Sequence, residues 1–156
     1  MALDPVAESP ETTTSPEPEE PSIRPGHGEM ILVAEDNPVN QQVTVFMLES
    51  LGYLADVVAN GQEALEALDR GHYDLVLMDC QMPVMDGYEA TTRIRQRSNF
   101  SDLPILAMTA NALADDRDRC LAIGMSGYLA KPVQIEELAG AIEQCLEARE
   151  ISAHAL

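Results

Sequence analysis

The stretch "DLVLMDCQMPVMDG", residues 74–87, carries an apolar run straight into a carboxylate, Asp79, then breaks at Pro83 and restarts on Asp86 and Gly87. A short apolar run without alternation predicts a strand covered by helices on both faces, and Asp86 before Gly87 predicts the cap of a helix that follows. The strand therefore delivers an acid to its own carboxyl end. The remaining sequence has to account for that acid.

Outward from this stretch, short strand-like runs alternate with helical periodicity. The runs are "MILVAED" (30–36), "ADVVAN" (55–60), "DLVLMD" (74–79), "LPILAMTA" (103–110) and "GYLAKPV" (127–133), and three of them are continuously apolar. Between them, Val39, Val43, Phe46 and Met47 predict one apolar helix stripe, and Ile135, Leu138, Ala139, Ile142 and Leu146 predict another. Asn37 before Pro38 is a cap followed by proline at the first helical position. Alternation of this kind with short connections predicts an α/β fold with a parallel sheet and right-handed crossovers. The segment 111–124, with a polar middle and a thin apolar face, is the element expected to shift most easily.

The 156 residues suffice for one domain with a real core. Residues 1–29, rich in Pro, Glu, Ser and Thr, read as a disordered acidic linker. They hold seven acids against Arg24, which leaves −12 of the formal −18 on the rest of the chain. Such a surface repels nucleic acid and anionic lipid, so no nucleic-acid binding and no direct membrane contact are expected. Cys80, Cys120 and Cys145 form neither a CxxC pair nor a Cys/His cluster, so neither a zinc site nor a disulfide framework is indicated, and a cytoplasmic setting fits. No apolar run approaches the roughly 20 residues of a membrane span.

In a parallel α/β sheet, ligands bind beyond the carboxyl ends of the strands, where strand order reverses. Those ends carry Glu35 and Asp36, Asp79, Thr109, and Lys131, the one lysine of the chain. Three acids against one lysine call for a bound cation, and all-oxygen ligands suit Mg2+ or Mn2+. With such a metal and Lys131 opposite, Asp79 can receive a phosphoryl group while the Thr109 hydroxyl donates to one of its oxygens. Taken singly, each residue is more ordinarily a cap, a strand filler or a loop charge. Their joint occurrence at matching strand ends favours chemistry.

"ILVAEDNPVNQQV", "YDLVLMDCQMPVMDGYEATTRIR", "LPILAMTANAL" and "GMSGYLAKPV" follow one another in the order and spacing of a known family. Over residues 30–148 the chain resembles the receiver domain of two-component response regulators, and its finer wording is similar to receivers of hybrid sensor histidine kinases. The resemblance implies a flavodoxin-like, doubly wound five-stranded parallel sheet, order 2-1-3-4-5, with five flanking helices. It implies a receiver over 30–149 and a short tail over 150–156. Asp79 would accept phosphate from a phosphohistidine, so that the domain catalyses transfer to its own side chain while the parent protein would be a histidine kinase. Asp36 and Asp79 would ligate Mg2+ with the backbone carbonyl of Gln81, and Glu35 would act through water. Lys131 would pair with the phosphoryl group, and its bond to Pro132 would be cis. Thr109 would move toward the phosphate with Tyr128 following, and Gln81 and Asn111 would tune the lifetime of the acyl phosphate.

The partner expected from this resemblance is the dimerisation and phosphoacceptor helices of a histidine kinase, or a histidine phosphotransfer domain. Asn40, Thr44 and Leu48, away from the expected apolar stripe of the first helix, would form its docking face. A module at the carboxyl end of a hybrid kinase is the preferred context, in which that kinase would tether it to the inner membrane. The rivals are a free-standing single-domain regulator and a non-phosphorylated docking module. An aspartyl phosphohydrolase would want a second acid where Gln81 stands, and a flavin carrier would want a phosphate loop that the turns lack.

Overall fold

The computed structural model describes residues 28–110 and 114–154. The expected linker falls outside them except for Gly28 and Glu29. Five strands alternate with five helices: β1 (Met30–Ala34), α1 (Pro38–Ser50), β2 (Leu54–Val58), α2 (Gly61–Arg70), β3 (Leu75–Asp79), α3 (Gly87–Arg95), β4 (Ile105–Thr109), α4 (Ala114–Ala122), β5 (Gly127–Ala130) and α5 (Ile135–His154). All pairings are parallel and the order is β2-β1-β3-β4-β5, as expected. The helix α5 runs to His154, so the segment expected as a tail begins as helix.

The three uninterrupted apolar runs are the three central strands. β3 and β4 are buried along their whole length, whereas β2 and β5 at the edges are only partly covered. Successive side chains of the central strands feed opposite layers. Leu32, Val76, Met78, Ile105 and Ala107 pack with Leu65 and Leu68 of α2, Ala90 and Ile94 of α3, and Cys120 of α4. Ile31, Val33, Leu75, Leu77 and Met108 pack on the other side with Met47 and Leu48 of α1 and Leu138 and Ile142 of α5. Burying a Leu or Ile side chain contributes about 1.5–3 kcal/mol, so these two layers supply the main driving force.

Helix starts follow the caps legible in the sequence. The Asn37 side chain accepts from the Val39 and Asn40 amides at 2.8 and 3.2 Å, with Pro38 next. Asp86 accepts from the Glu89 amide at 2.9 Å at the start of α3. Both caps lie in loops that leave the carboxyl edge of the sheet, and so fix where those loops turn.

Candidate functional site

Strand order reverses between β1 and β3, and the polar residues meet there. Asp79 is the last residue of β3 and is buried, Glu35 follows β1 and is buried, and Asp36 beside it is exposed. One carboxylate oxygen from each lies within 4.8 Å of the others. Like charges held so close repel unless compensated. Lys131, immediately after β5, places its Nζ 2.9 Å from Asp79 Oδ2 and 3.2 Å from Glu35 Oε1. Burial works against the Lys131 charge, but the hydrogen bond and attraction from Asp79, joined by Glu35, outweigh it and hold its pKa above the ordinary value.

One ammonium cannot offset three carboxylates. Two backbone amides add to it: Gln81 N–H donates to Asp79 Oδ1 at 3.2 Å and Asn37 N–H to Glu35 Oε2 at 3.1 Å. The Gln41 side chain donates to the Glu35 backbone carbonyl at 2.6 Å, which fixes the loop between β1 and α1. The oxygen-only set fits a hard divalent cation such as Mg2+. Among the described residues it is the one such convergence of acidic, His or Cys side chains.

Thr109 ends β4, buried, and its carbonyl accepts the Lys131 amide at 2.8 Å. That bond carries the pairing of β4 and β5 one residue beyond Ala130 and sets Lys131 beside the acids. The Lys131–Pro132 bond is cis, as expected. Tyr128 is half-buried, and its hydroxyl accepts from Arg117 Nη1 at 3.0 Å. Asn111 lies outside the described residues.

Two residues after Asp79 carry backbone constraints to which the sequence assigned no role. Gly87 donates its N–H to the Cys80 carbonyl at 3.1 Å, and a Cβ there would overlap the Asp79 carbonyl and lie 2.9 Å from Met78 Cγ. Only glycine lets α3 start so near Asp79; the "DG" pair was its signal. Val84, largely exposed in the preceding loop, adopts φ 69, a left-handed conformation that a β-branched residue rarely takes. No pattern in the sequence points to it.

The expected docking face is corrected. Leu48 is 0% exposed and Thr44 is buried, both packed toward the sheet, and Asn40 is half-buried. The outward face of α1 is instead the expected core stripe: Val39, Val43 and Phe46 are 66%, 50% and 70% exposed, and of that stripe only Met47 is buried. The helix is turned because Leu48 fills the layer under β1 and β3 with Leu51 and Tyr53. Beside the acids a cleft of about 100 Å³ opens between Asn40 and Val43 of α1 and Lys131, Pro132 and Val133.

This chain belongs to the response regulator receiver domain family, whose model matches residues 31–143. It is 45% identical over 121 residues to hybrid signal transduction histidine kinase B of Dictyostelium discoideum, covering 70% of this chain and 6% of that protein. It is 46% identical over 107 residues to the sensor histidine kinase RcsC of Escherichia coli K12, covering 69% of this chain and 11% of RcsC. The chain thus spans about a tenth or less of these relatives. Among solved structures, the receiver domain of a sensor histidine kinase of Pseudomonas aeruginosa, with a magnesium ion coordinated in its active site cleft, is 49% identical. The TM-score is 0.72, over 78% of this chain and 99% of that one. Among the described residues no helix is long and apolar enough to cross a membrane.

Proposed function

We propose that Asp79 is the phosphoryl acceptor of a two-component phosphorelay, taking the group from a phosphohistidine. The observation that carries this reading is the buried Asp79 carboxylate bound by Lys131 and crowded by Glu35 and Asp36. An Asp79 oxygen forms a bond to phosphorus as the phosphorus–nitrogen bond of the donor breaks, and the imidazole nitrogen keeps the electron pair. Lys131 moves its hydrogen bond from Asp79 to a phosphoryl oxygen. The Thr109 hydroxyl donates to another, and the ring of Tyr128 follows Thr109 inward. Glu35, Asp36, Asp79 and the carbonyl of Gln81 would hold Mg2+ or Mn2+, which supplies positive charge against the roughly −1.5 to −2 that phosphorylation adds. By the family resemblance, Gln81 and Asn111 would set the lifetime of the product.

The donor docks on α1. Val39, Val43 and Phe46 form an apolar surface, and Glu49 is the only charged residue of that helix on an otherwise acidic protein. An uncharged apolar face suits the helices of a histidine kinase or a phosphotransfer domain. The parent is read as a hybrid sensor kinase with this receiver in the cytoplasm. Beryllofluoride with Mg2+, or acetyl phosphate, should produce a spectroscopic change that Asp79→Asn removes. A chain that ignores both reagents is a docking module instead, and repeated turnover of phosphate esters would make it a hydrolase.

A further inference from the structure

The helix α4 has little to hold it. Of its side chains with a described environment only Cys120 is buried, while Arg117, Asp118, Arg119, Leu121 and Ala122 are exposed. Two arginines compensate. The Arg119 guanidinium stacks 3.8 Å from the centre of the Tyr88 ring on α3, and Arg117 lies 5.7 Å from the centre of the Tyr128 ring on β5 while donating to its hydroxyl. Such cation–ring contacts are attractive even at exposed sites.

Both rings connect to the acceptor. The Tyr88 ring packs against the buried cluster that contains Cys80, the residue after Asp79. Tyr128 stands on β5, three residues before Lys131, whose ammonium holds Asp79. The two arginines therefore tie α4 to the helix that packs on β3 and to the strand that leads into Lys131.

We infer that Arg117 and Arg119 form a two-point clamp that holds α4 against Tyr128 and Tyr88 and opposes charging of Asp79. The inference rests on the acceptor reading for its direction. An inward movement of Tyr128 withdraws its hydroxyl from Arg117, so the clamp favours the uncharged arrangement by the strength of that contact. Removing the contact shifts the balance toward the charged arrangement without touching a residue of the acceptor site.

The test uses the full chain and the double variant Arg117→Ala/Arg119→Ala. Amide hydrogen exchange across α4, without any ligand, should quicken roughly tenfold. In Mg2+ the variant should bind beryllofluoride about threefold to tenfold more tightly by calorimetry. Tyr128→Phe leaves every charge in place and removes only the oxygen that Arg117 donates to. It should shift affinity in the same direction by less, which separates the contact from net charge. Unchanged exchange in α4 overturns the clamp, and unchanged or weaker affinity overturns its opposition to charging. A wild-type chain indifferent to beryllofluoride overturns the acceptor reading and the coupling with it, while the exchange rates still decide whether the arginines hold the helix.

Discussion

The ammonium of Lys131 lies 2.9 Å from Oδ2 of Asp79, so a residue following β5 is brought over the end of β3, two strands away. Because Asp79 and Glu35 hold the Lys131 pKa above its ordinary 10.5, folding favours the protonated form. The stability so gained is complete below the unfolded value of 10.5 and is lost as pH rises through the folded one. In urea unfolding, the advantage of the wild type over Lys131→Met should be constant up to about pH 10 and shrink above it. A constant difference through strongly alkaline pH would contradict this.

Substitutions on α1 should divide into two kinds. Phe46→Asp, on the exposed face, should slow phosphoryl transfer from a partner histidine by at least roughly tenfold while sparing acetyl phosphate, and should leave stability within about 0.5 kcal/mol. Leu48→Asp places a charge in a closed layer and should cost about 3–5 kcal/mol, lowering the response to both donors through unfolding. Equal loss with both donors for Phe46→Asp, in a folded protein, would remove α1 as the docking face.

Gly87→Ala forces a methyl group against the Asp79 carbonyl and the Met78 side chain. The expected result is a loss of about 2–3 kcal/mol together with a weakened response to beryllofluoride, because the strain falls on the acceptor's own backbone. Circular dichroism and calorimetry on one sample would show whether the two losses travel together.

The thiol next to the acceptor should be inert. Burial pushes the Cys80 pKa up to about 12, with Cys120 and Asp79 adding to this and the nearby Tyr88 opposing it. With Cys120 also buried, a thiol reagent at mildly alkaline pH should modify Cys145 alone in the native protein. All three should react after denaturation. Rapid modification of Cys80 in the folded chain would overturn this.

The sheet and its acidic edge were legible because uninterrupted apolar runs, such as residues 75–78, have few other uses in a chain this short. The end of each run then located Asp79, Thr109 and Lys131 without any contact being known. The rotation of α1 was not legible, since Val39, Val43, Phe46 and Met47 and the observed Thr44, Met47, Leu48 and Leu51 are both helical stripes of acceptable spacing. Period alone cannot choose between two such stripes. Apolar residues stand on both the exposed and the buried side of α1, which hides the answer. The arginine contacts of α4 depend on where a polar helix lies, and the sequence carries no periodic signal for that.

The order β2-β1-β3-β4-β5 sets Glu35 and Asp36 just past β1, Asp79 at the end of β3, Thr109 at the end of β4 and Lys131 just past β5. A chain emerging from the ribosome therefore carries all three carboxylates some fifty residues before their counter-charge, and parallel strands register only when their crossover helices have closed. A half-made protein holds the aspartate but not the device around it. The acidic edge is therefore compensated only once the chain past β5 is made, and a copy cut short before Lys131 leaves its three carboxylates without the ammonium that offsets them.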